Sequence, residues 1–516
     1  MTDLPDGPEG PLPGDRRVGT RRPLLVVVAL MVVAIVVATI QVLGLITTSG
    51  NGTAAPSRGS AGSSGPTIDS GSPVPPGSSG SPVGPGASPS AAASPSAAAS
   101  APASTSNGLI AVVDDDGALS TVDDHGGSRV AYPMPGVIFG YPAWSPDGSR
   151  IAVVGSGPKD TAIYVYTVRA SGTPTPTPND RPTVVYRSAD RPPFYLYWTP
   201  DGRSISFLAT EASSISLRIA PADGSAPLDG SEAGAVLRKG APLYFDWVEA
   251  SRVLLHVGLG SAAFGGEVDP AGDRIQQSLP ATGNFRAASA STDHRYLAYV
   301  RSVTDTTGNL VVAARDGSSA HELPVFGPAA FVFDPTGDRL ATISSPIAVD
   351  PTVGFPIGPL RLVDAGSGAV RTLLSGPVIA AFWSPDGRTI AAIRVARADD
   401  NVTAGTSVVL ANAVVPRPTD GPSLQAPGLL VHLSFIDAAT GEVRSGQVVH
   451  LADHFVNQLL PYFDQYALSH RLWSPDSASI LLPLVDATGR NQLVVVPVDG
   501  STTRTVADGA KGFWSP

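Results

Sequence analysis

The pattern of hydrophobic positions divides the chain into three stretches. Leu24–Ile46 is an apolar run without a charge, with Thr39 and Gln41 as its distinctly polar positions. Residues 47–107 carry few large apolar side chains and are built from Ser, Ala, Gly and Pro. From residue 108 onward, short apolar runs recur, each a few positions after an aromatic residue and a tight-turn signal. The first pattern predicts one long helix, the second no regular structure, and the third many short strands.

At ~1.5 Å per residue, a helix over Leu24–Ile46 is about 35 Å long, enough to cross a ~30 Å hydrocarbon core with some tilt. Arg16, Arg17, Arg21 and Arg22 precede it and no basic residue closely follows. That asymmetry places the N-terminus in the cytoplasm. A cleaved signal peptide has an apolar region of roughly 7–15 residues. This run is longer, so an uncleaved signal-anchor is expected. The expected organisation is a cytoplasmic head (1–22), a transmembrane helix (23–46), a disordered linker (47–107) and a folded extracytoplasmic domain (108–516). The linker holds two charged residues, Arg58 and Asp69, and repeats Ser-Pro-Ser-Ala-Ala-Ala at 88–93 and 94–99. Such a segment buries too little apolar surface to offset its ordering entropy. A passive tether is the simplest role for it; a stalk that carries O-linked sugars or crosses a wall layer is the alternative.

A repeat organises the third stretch. Its clearest copies are Trp144-Ser-Pro-Asp-Gly148, Trp198-Thr-Pro-Asp-Gly202 and Trp383-Ser-Pro-Asp-Gly387. Phe333-Asp-Pro-Thr-Gly337 and Trp473-Ser-Pro-Asp-Ser477 are weaker copies, and Trp514-Ser-Pro516 stands at the end of the sequence. Degenerate copies begin at Trp247 and Ala290. In each unit the aromatic residue ends a strand and fills the space between neighbouring sheets. Proline presets φ at the second turn position, and glycine suits the fourth. An apolar strand follows, then a third strand that ends in a second turn, then a short fourth. Four strands per unit of ~40–50 residues make the blade of a β-propeller. The interval 383→473 is the exception, and 397–427 reads as an insertion in that blade. Leu109–Val113, Leu119–Val122 and Val130–Tyr132 are strands without a preceding Trp motif, while Trp514 is a motif without following strands. Joining them completes a blade from both ends and leaves no free sheet edge. The fold expected is therefore all-β, a propeller of eight four-stranded antiparallel blades, with seven as the alternative. Trp144, Trp198, Trp247, Phe333, Trp383, Trp473 and Trp514 are its structural repeat residues.

Trp-Ser-Pro-Asp-Gly followed by an apolar strand resembles the WD-like repeat of TolB-type β-propellers, over about 108–516. The resemblance implies the fold. In that family a periplasmic translocation factor carries an extra N-terminal α/β domain that its partners use. Here that stretch is membrane helix and linker, so those partners are not implied. Peptidases with the same repeat need a C-terminal α/β-hydrolase domain. This chain ends inside its last repeat, so their activity is not expected.

Composition narrows the chemistry. The net charge of −10 argues against nucleic-acid binding, which needs basic surface to neutralise phosphates. The absence of cysteine excludes disulfides, thiolate zinc sites and a Cys nucleophile. No nucleophile elbow, P-loop or dinucleotide fingerprint occurs within 108–516, and no cofactor is expected. His450 and His454 stand at i, i+4 and could share a metal on a helix, but their context reads as strand and turn. Asp114-Asp115-Asp116-Gly117 lacks the ligand spacing of a calcium loop and reads as a turn. One aromatic-rich segment, Phe455–Tyr466, is too long for an ordinary connection, and such connections are often functional. Asn457, Gln458, Tyr462, Phe463, Asp464 and Tyr466 are the candidate contacts for an envelope protein or glycan partner. The competing reading is that Leu459, Leu460, Phe463 and Leu468 cover the core of an unusual blade. The expected role is a binding or scaffolding module in the bacterial cell envelope. The alternatives are a propeller-based hydrolase or lyase acting on an envelope polymer or peptide, and a sensor ectodomain. The 22-residue head leaves no room for a signalling domain, so a sensor would need a partner.

Overall fold

The computed structural model describes residues 108–169, 181–228, 234–258, 263–271, 274–279, 288–304, 307–345, 347, 356–396, 429–444 and 446–516. The expected head, membrane helix and linker (1–107) and the expected insertion at 397–427 lie outside the described residues. Among the described residues no helix is long and apolar enough to cross a membrane.

The described chain is almost entirely antiparallel sheet. It opens with β1 (Ile110–Val113), β2 (Leu119–Val122) and β3 (Val130–Ala131). The Asp114–Gly117 run is the turn between the first two, with Gly117 N donating to Asp114 O over 3.0 Å. A second sheet holds β4 (Ile138–Trp144), β5 (Arg150–Ser156), β6 (Thr161–Thr167) and β7 (Thr183–Ser188). A third holds β8 (Pro193–Trp198), β9 (Ser204–Thr210), β10 (Ile215–Pro221) and β11 (Ala235–Gly240). The fourth holds β12 (Leu243–Glu249), β13 (Arg252–Val257), β14 (Phe264–Asp269) and β15 (Arg274–Ser278).

The next strands run on as β16 (Ser289–Ala290), β17 (Tyr296–Ser302), β18 (Thr307–Ala314), β19 (Ala320–Phe333), β20 (Arg339–Ser345), β21 (Gly358–Asp364) and β22 (Val370–Trp383). Two of these are long enough to serve two sheets. The first half of β19 pairs with β18, and its second half, past a bulge, pairs with β20. In the same way β22 pairs first with β21 and then with β23 (Thr389–Val395). The expected short fourth strand is here fused to the first strand of the next unit. Strand β24 (Leu429–Asp437) pairs directly with β23, Val395 opposite Val431, so the 397–427 insertion joins neighbouring strands of one sheet. Its outer partners are β25 (Val443–Arg444) and β26 (Val448–Leu451). A last meander contains β27 (Ser479–Val485), β28 (Asn491–Pro497) and β29 (Arg504–Asp508). The final strand, β30 (Lys511–Trp514), pairs antiparallel with β1. These repeated four-stranded meanders are consistent with a β-propeller.

The repeated turn forms as its residues require. Gly148 N donates to Ser145 O over 2.9 Å, and Gly148 has φ +69°. Ser145 Oγ donates to Asp147 Oδ1 at 2.6 Å and accepts from Arg150 N at 2.9 Å. Thr199 and Asp201, Ser384 and Asp386, and Ser474 and Asp476 repeat the first bond at 2.6 Å. In Asp334-Pro-Thr-Gly337 the roles are exchanged, with Thr336 Oγ1 donating to Asp334 Oδ2 at 2.8 Å. The aspartates thus act as turn-formers, because each satisfies local N–H and O–H donors.

The aromatic residues tie each sheet to the one before it. Trp198 Nε1 donates to Ala143 O at 3.0 Å, Trp383 Nε1 to Val332 O at 3.1 Å, and Trp473 Nε1 to Phe382 O at 3.0 Å. Each acceptor immediately precedes the aromatic residue of the preceding repeat. Trp144 Nε1 follows the same rule with Phe513 O, at 2.9 Å and 369 residues away. Trp247 instead uses Ser206 Oγ at 2.9 Å. Arginines add a second tie: Arg150 lies 4.7 Å from the Trp198 ring and donates to Gly202 O. Arg339 repeats this with Trp383 and Gly387 O. Aliphatic side chains fill the rest of the space between the sheets, and fully burying each Val, Leu or Ile contributes roughly 1.5–3 kcal/mol.

Candidate functional site

The segment after β26 is helical where a connecting loop was expected. Phe455–Leu459 makes a π turn, Leu460–Tyr462 a 3₁₀ turn, and Phe463–Ser469 a short helix, α1. Pro461 lies in the first turn of the 3₁₀ element, where its missing N–H costs nothing. Phe455, Leu459, Leu460, Phe463 and Tyr466 are buried together. Leu459 and Leu460 are adjacent and the others recur at intervals of three or four, which places them on one side of a helical path.

That side faces the first strands of several sheets. Helix α1 touches β8, β12, β19 and β22. Phe463 meets Phe382 edge-on with ring centroids 5.7 Å apart. Tyr466 meets Tyr195 at 5.2 Å, and His470 meets Phe513 at 4.6 Å. The segment therefore lies where first strands from different parts of the chain converge.

Three tyrosines hold it there. Tyr195 OH donates to Gln465 O at 2.6 Å, Tyr141 OH donates to Gln458 Oε1, and the Tyr244 ring lies 6.2 Å from Tyr462. Each stands three residues before a repeat tryptophan: Trp198, Trp144 and Trp247. Sequence reading missed them, although this shared offset was the available signal. Tyr141 and Tyr195 have φ of +57° and +49°, at bulges in β4 and β8. Non-glycine residues held in this region store strain that the surrounding contacts must offset.

Burial controls the ionisable groups. Desolvation pushes the Asp464 carboxyl up to about 7, and Gln465 N donates to it at 3.1 Å. Desolvation also holds His470 down at about 3, and its Nε2 is buried without a hydrogen-bond partner. Asp246 on β12 is pushed up to about 6 by burial, although Ala290 N and Ser289 Oγ donate to it and Tyr197 bonds it from β8. It links first strands of three sheets.

The structure divides the six candidate contacts. Phe463 and Tyr466 are core residues. Tyr462 and Asp464 are partly buried, Asn457 is partly accessible and Gln458 is exposed. His450 lies on β26, and His454 precedes the π turn, so the pair shares no helix face. Among the described residues no group of three His, Asp or Glu side chains could hold a metal ion.

No family model matches the chain, and no curated protein matches it. Solved structures do resemble it. A putative TolB from Agrobacterium tumefaciens is 18% identical, with TM-score 0.32, over 55% of this chain and 95% of that one. TolB from Acinetobacter baumannii is 14% identical, with TM-score 0.34, over 79% of this chain and 67% of that one. An oligogalacturonate lyase in complex with manganese is 13% identical, with TM-score 0.38, over 78% and 84%. The resemblance to TolB-type β-propellers is one of fold.

Proposed function

We propose that the chain is a single-pass membrane protein whose extracytoplasmic domain is a closed, eight-bladed β-propeller. Its role is that of a binding or scaffolding module in the cell envelope. The eight-blade reading is supported by the order of contacts between successive repeats. Trp144 reaches Phe513, Trp198 reaches Ala143, and Trp247 reaches Ser206. Asp246 accepts from Ala290 N, and Thr292 Oγ1 donates to Pro335 O at 2.8 Å. Trp383 reaches Val332, Trp473 reaches Phe382, and Trp514 N donates to Arg471 O at 2.8 Å. That sequence of partners returns to its starting point. A seven-blade ring would need Trp247 or Ala290 to open no sheet of its own, yet β12 and β16 begin meanders there.

The observation that carries the binding role is the packing of 455–470. Aromatic and aliphatic side chains pack where first strands converge and enclose the polar Gln465 and His470 rather than opening them to solvent. A filled centre leaves the outer loops and rims as the working surface, and rigid rims suit recognition. The membrane span at 23–46 would hold that surface outside the cell. Affinity capture of the full chain from detergent-solubilised membranes tests this reading. Enrichment of a defined envelope protein or glycan is the expected outcome. Capture of a polymer or peptide that is shortened on incubation would move the reading to a hydrolase or lyase, and cytoplasmic partners alone would remove it.

A further inference from the structure

A cleft of about 310 Å³ opens at one end of the second sheet, where β6 begins and β7 ends. Thr161 stands opposite Ser188 there. The volume lies near the lower end of the ~300–1,000 Å³ that ligand pockets span. Lys159, Asp160, Arg187, Ser188, Asp190 and Arg191 line it, with Ala189 as the one apolar member. Such walls suit a polar ligand and offer nothing to an apolar one.

Both walls are set by their own turns. Gly157 N donates to Asp160 O at 2.9 Å, which shapes the β5–β6 connection. On the other side Ser188 Oγ donates to Asp190 Oδ1 at 2.8 Å and accepts from Arg191 N at 3.1 Å. Tyr186 OH donates to Arg191 O at 2.9 Å.

Cations exceed carboxylates here, in a chain whose net charge is −10. Lys159 is exposed and makes no ion pair or hydrogen bond among the described residues. Arg187 lies 3.6 Å from Asp160, too far for a hydrogen bond, and its exposed guanidinium donates none among the described residues. Asp190 is already taken by Ser188 and by Arg191 at 3.4 Å. Behind Arg191, Glu211 is shared by Arg191, Arg218 and Lys239 at 4.0, 3.0 and 3.8 Å, so it adds no negative charge on balance. The cleft therefore presents an ammonium and a guanidinium whose N–H donors are unused.

We propose that this cleft binds an oxyanion, a carboxylate or a phosphate, carried on a sugar-sized polar body. Lys159 and Arg187 are its counter-ions, and the planar Arg187 fork matches two of its oxygens. This rests on the binding-module reading, whose working surface is the loops, and gives it an acidic sugar unit as ligand. A uronate and a sugar phosphate both present that chemistry.

Titration of the full chain in detergent with glucuronate, glucose 6-phosphate and glucose is the test. At least one acid is expected to bind about tenfold or more tighter than glucose, because charge-assisted hydrogen bonds are gained. Its affinity should fall as salt is raised. Tighter binding of glucuronate points to a uronate, and of glucose 6-phosphate to a phosphorylated sugar. Lys159→Gln and Arg187→Gln, both at exposed positions, are each expected to weaken the acid by about tenfold. Asp160→Asn is expected to strengthen it, since the carboxylate competing for Arg187 is gone. Glucose binding as tightly as both acids, or no binding of either acid at millimolar concentration, overturns the proposal. So does weaker binding in Asp160→Asn, which would assign the cleft to a cation. Should the acids fail to bind while the full chain still captures one envelope partner from membranes, the cleft inference falls and the binding-module reading stands.

Discussion

Ile110 stands opposite Trp514 in antiparallel register, joining residues from the two ends of the described chain in one sheet. Ile110 is fully buried and the Trp514 ring nearly so, and both belong to one cluster with Leu481, Leu493 and Val495. The Trp514 Nε1 is buried without an acceptor, so its worth lies in packing and in its backbone pairing.

Trp514→Ala should therefore destabilise the folded domain by about 3–5 kcal/mol, the range for removing a buried aromatic side chain. Chemical denaturation measures it. A loss well under 1 kcal/mol would mean that the joined sheet contributes little to the fold.

The Tyr195 hydroxyl donates to the Gln465 carbonyl and also meets the Ser469 side chain. Tyr195→Phe removes that hydroxyl's hydrogen bonds, at about 0.5–1.5 kcal/mol. Faster amide exchange over 455–469 should accompany the loss. Tyr466→Ala should cost more, about 3–5 kcal/mol, since that ring is buried among Tyr195 and His470. Weakened partner capture with unchanged thermal stability in Tyr466→Ala would contradict the core placement.

Asp464 and His470 should tilt the pH dependence of stability in opposite directions. The folded pKa of Asp464 is raised from 3.8 to about 7. The folded state binds its proton more tightly, so the contribution of Asp464 to stability falls as pH rises between about 4 and 7. Asn cannot ionise and keeps an acceptor for Gln465 N. Asp464→Asn should thus gain on wild type as pH rises through that window, then run parallel to it. His470 is depressed from 6.5 to about 3. Its neutral burial costs nothing above pH ~6.5, and stability is lost progressively as pH falls from there toward 3. His470→Gln should flatten that acid limb. Denaturation midpoints at closely spaced pH values separate the two effects.

Two repeats carry a side chain where the turn asks for glycine. His294 has φ +63° and Ser477 φ +61°, the left-handed region that costs an L-residue roughly 1–2 kcal/mol. His294 is exposed, and His294→Gly should raise stability by about 0.5–1 kcal/mol, part of the relief being offset by glycine's chain entropy. Ser477 Oγ accepts from Asp386 N of the neighbouring repeat at 3.1 Å. Ser477→Gly should therefore gain less than His294→Gly, or lose. Thermal midpoints compare the two, and a larger gain at position 477 would contradict the role of that hydroxyl.

The strands were legible because their signals are local. Each apolar run after a turn motif lies inside a strand, from Ile151–Val154 in β5 to Ile480–Leu484 in β27. Even the degenerate repeats at Trp247 and Ala290 end first strands or begin meanders. The central segment was harder to read. Phe455–Tyr466 mixes three helical spacings within twelve residues, so no single period stands out. Of its six candidate contacts, Phe463 and Tyr466 proved to be core, since an aromatic ring suits a partner surface and a packed interior equally well.

What the sequence determined by itself is the repeating unit: the Ser-Pro-Asp-Gly turn, the strand that follows and the aromatic residue that ends the strand before. Proline, glycine and a short acidic side chain act over five residues, and the chain need not be folded for them to do so. Tertiary structure alone decided which faces meet. Tyr195 lies 270 residues from Gln465 and Trp144 lies 369 from Phe513. Tertiary structure likewise puts Lys511 beside Gly140 and buries Asp246 against Ser289 and Ala290, 43 and 44 residues away. Such pairings depend on burial and on the angle between sheets, which no local residue pattern encodes.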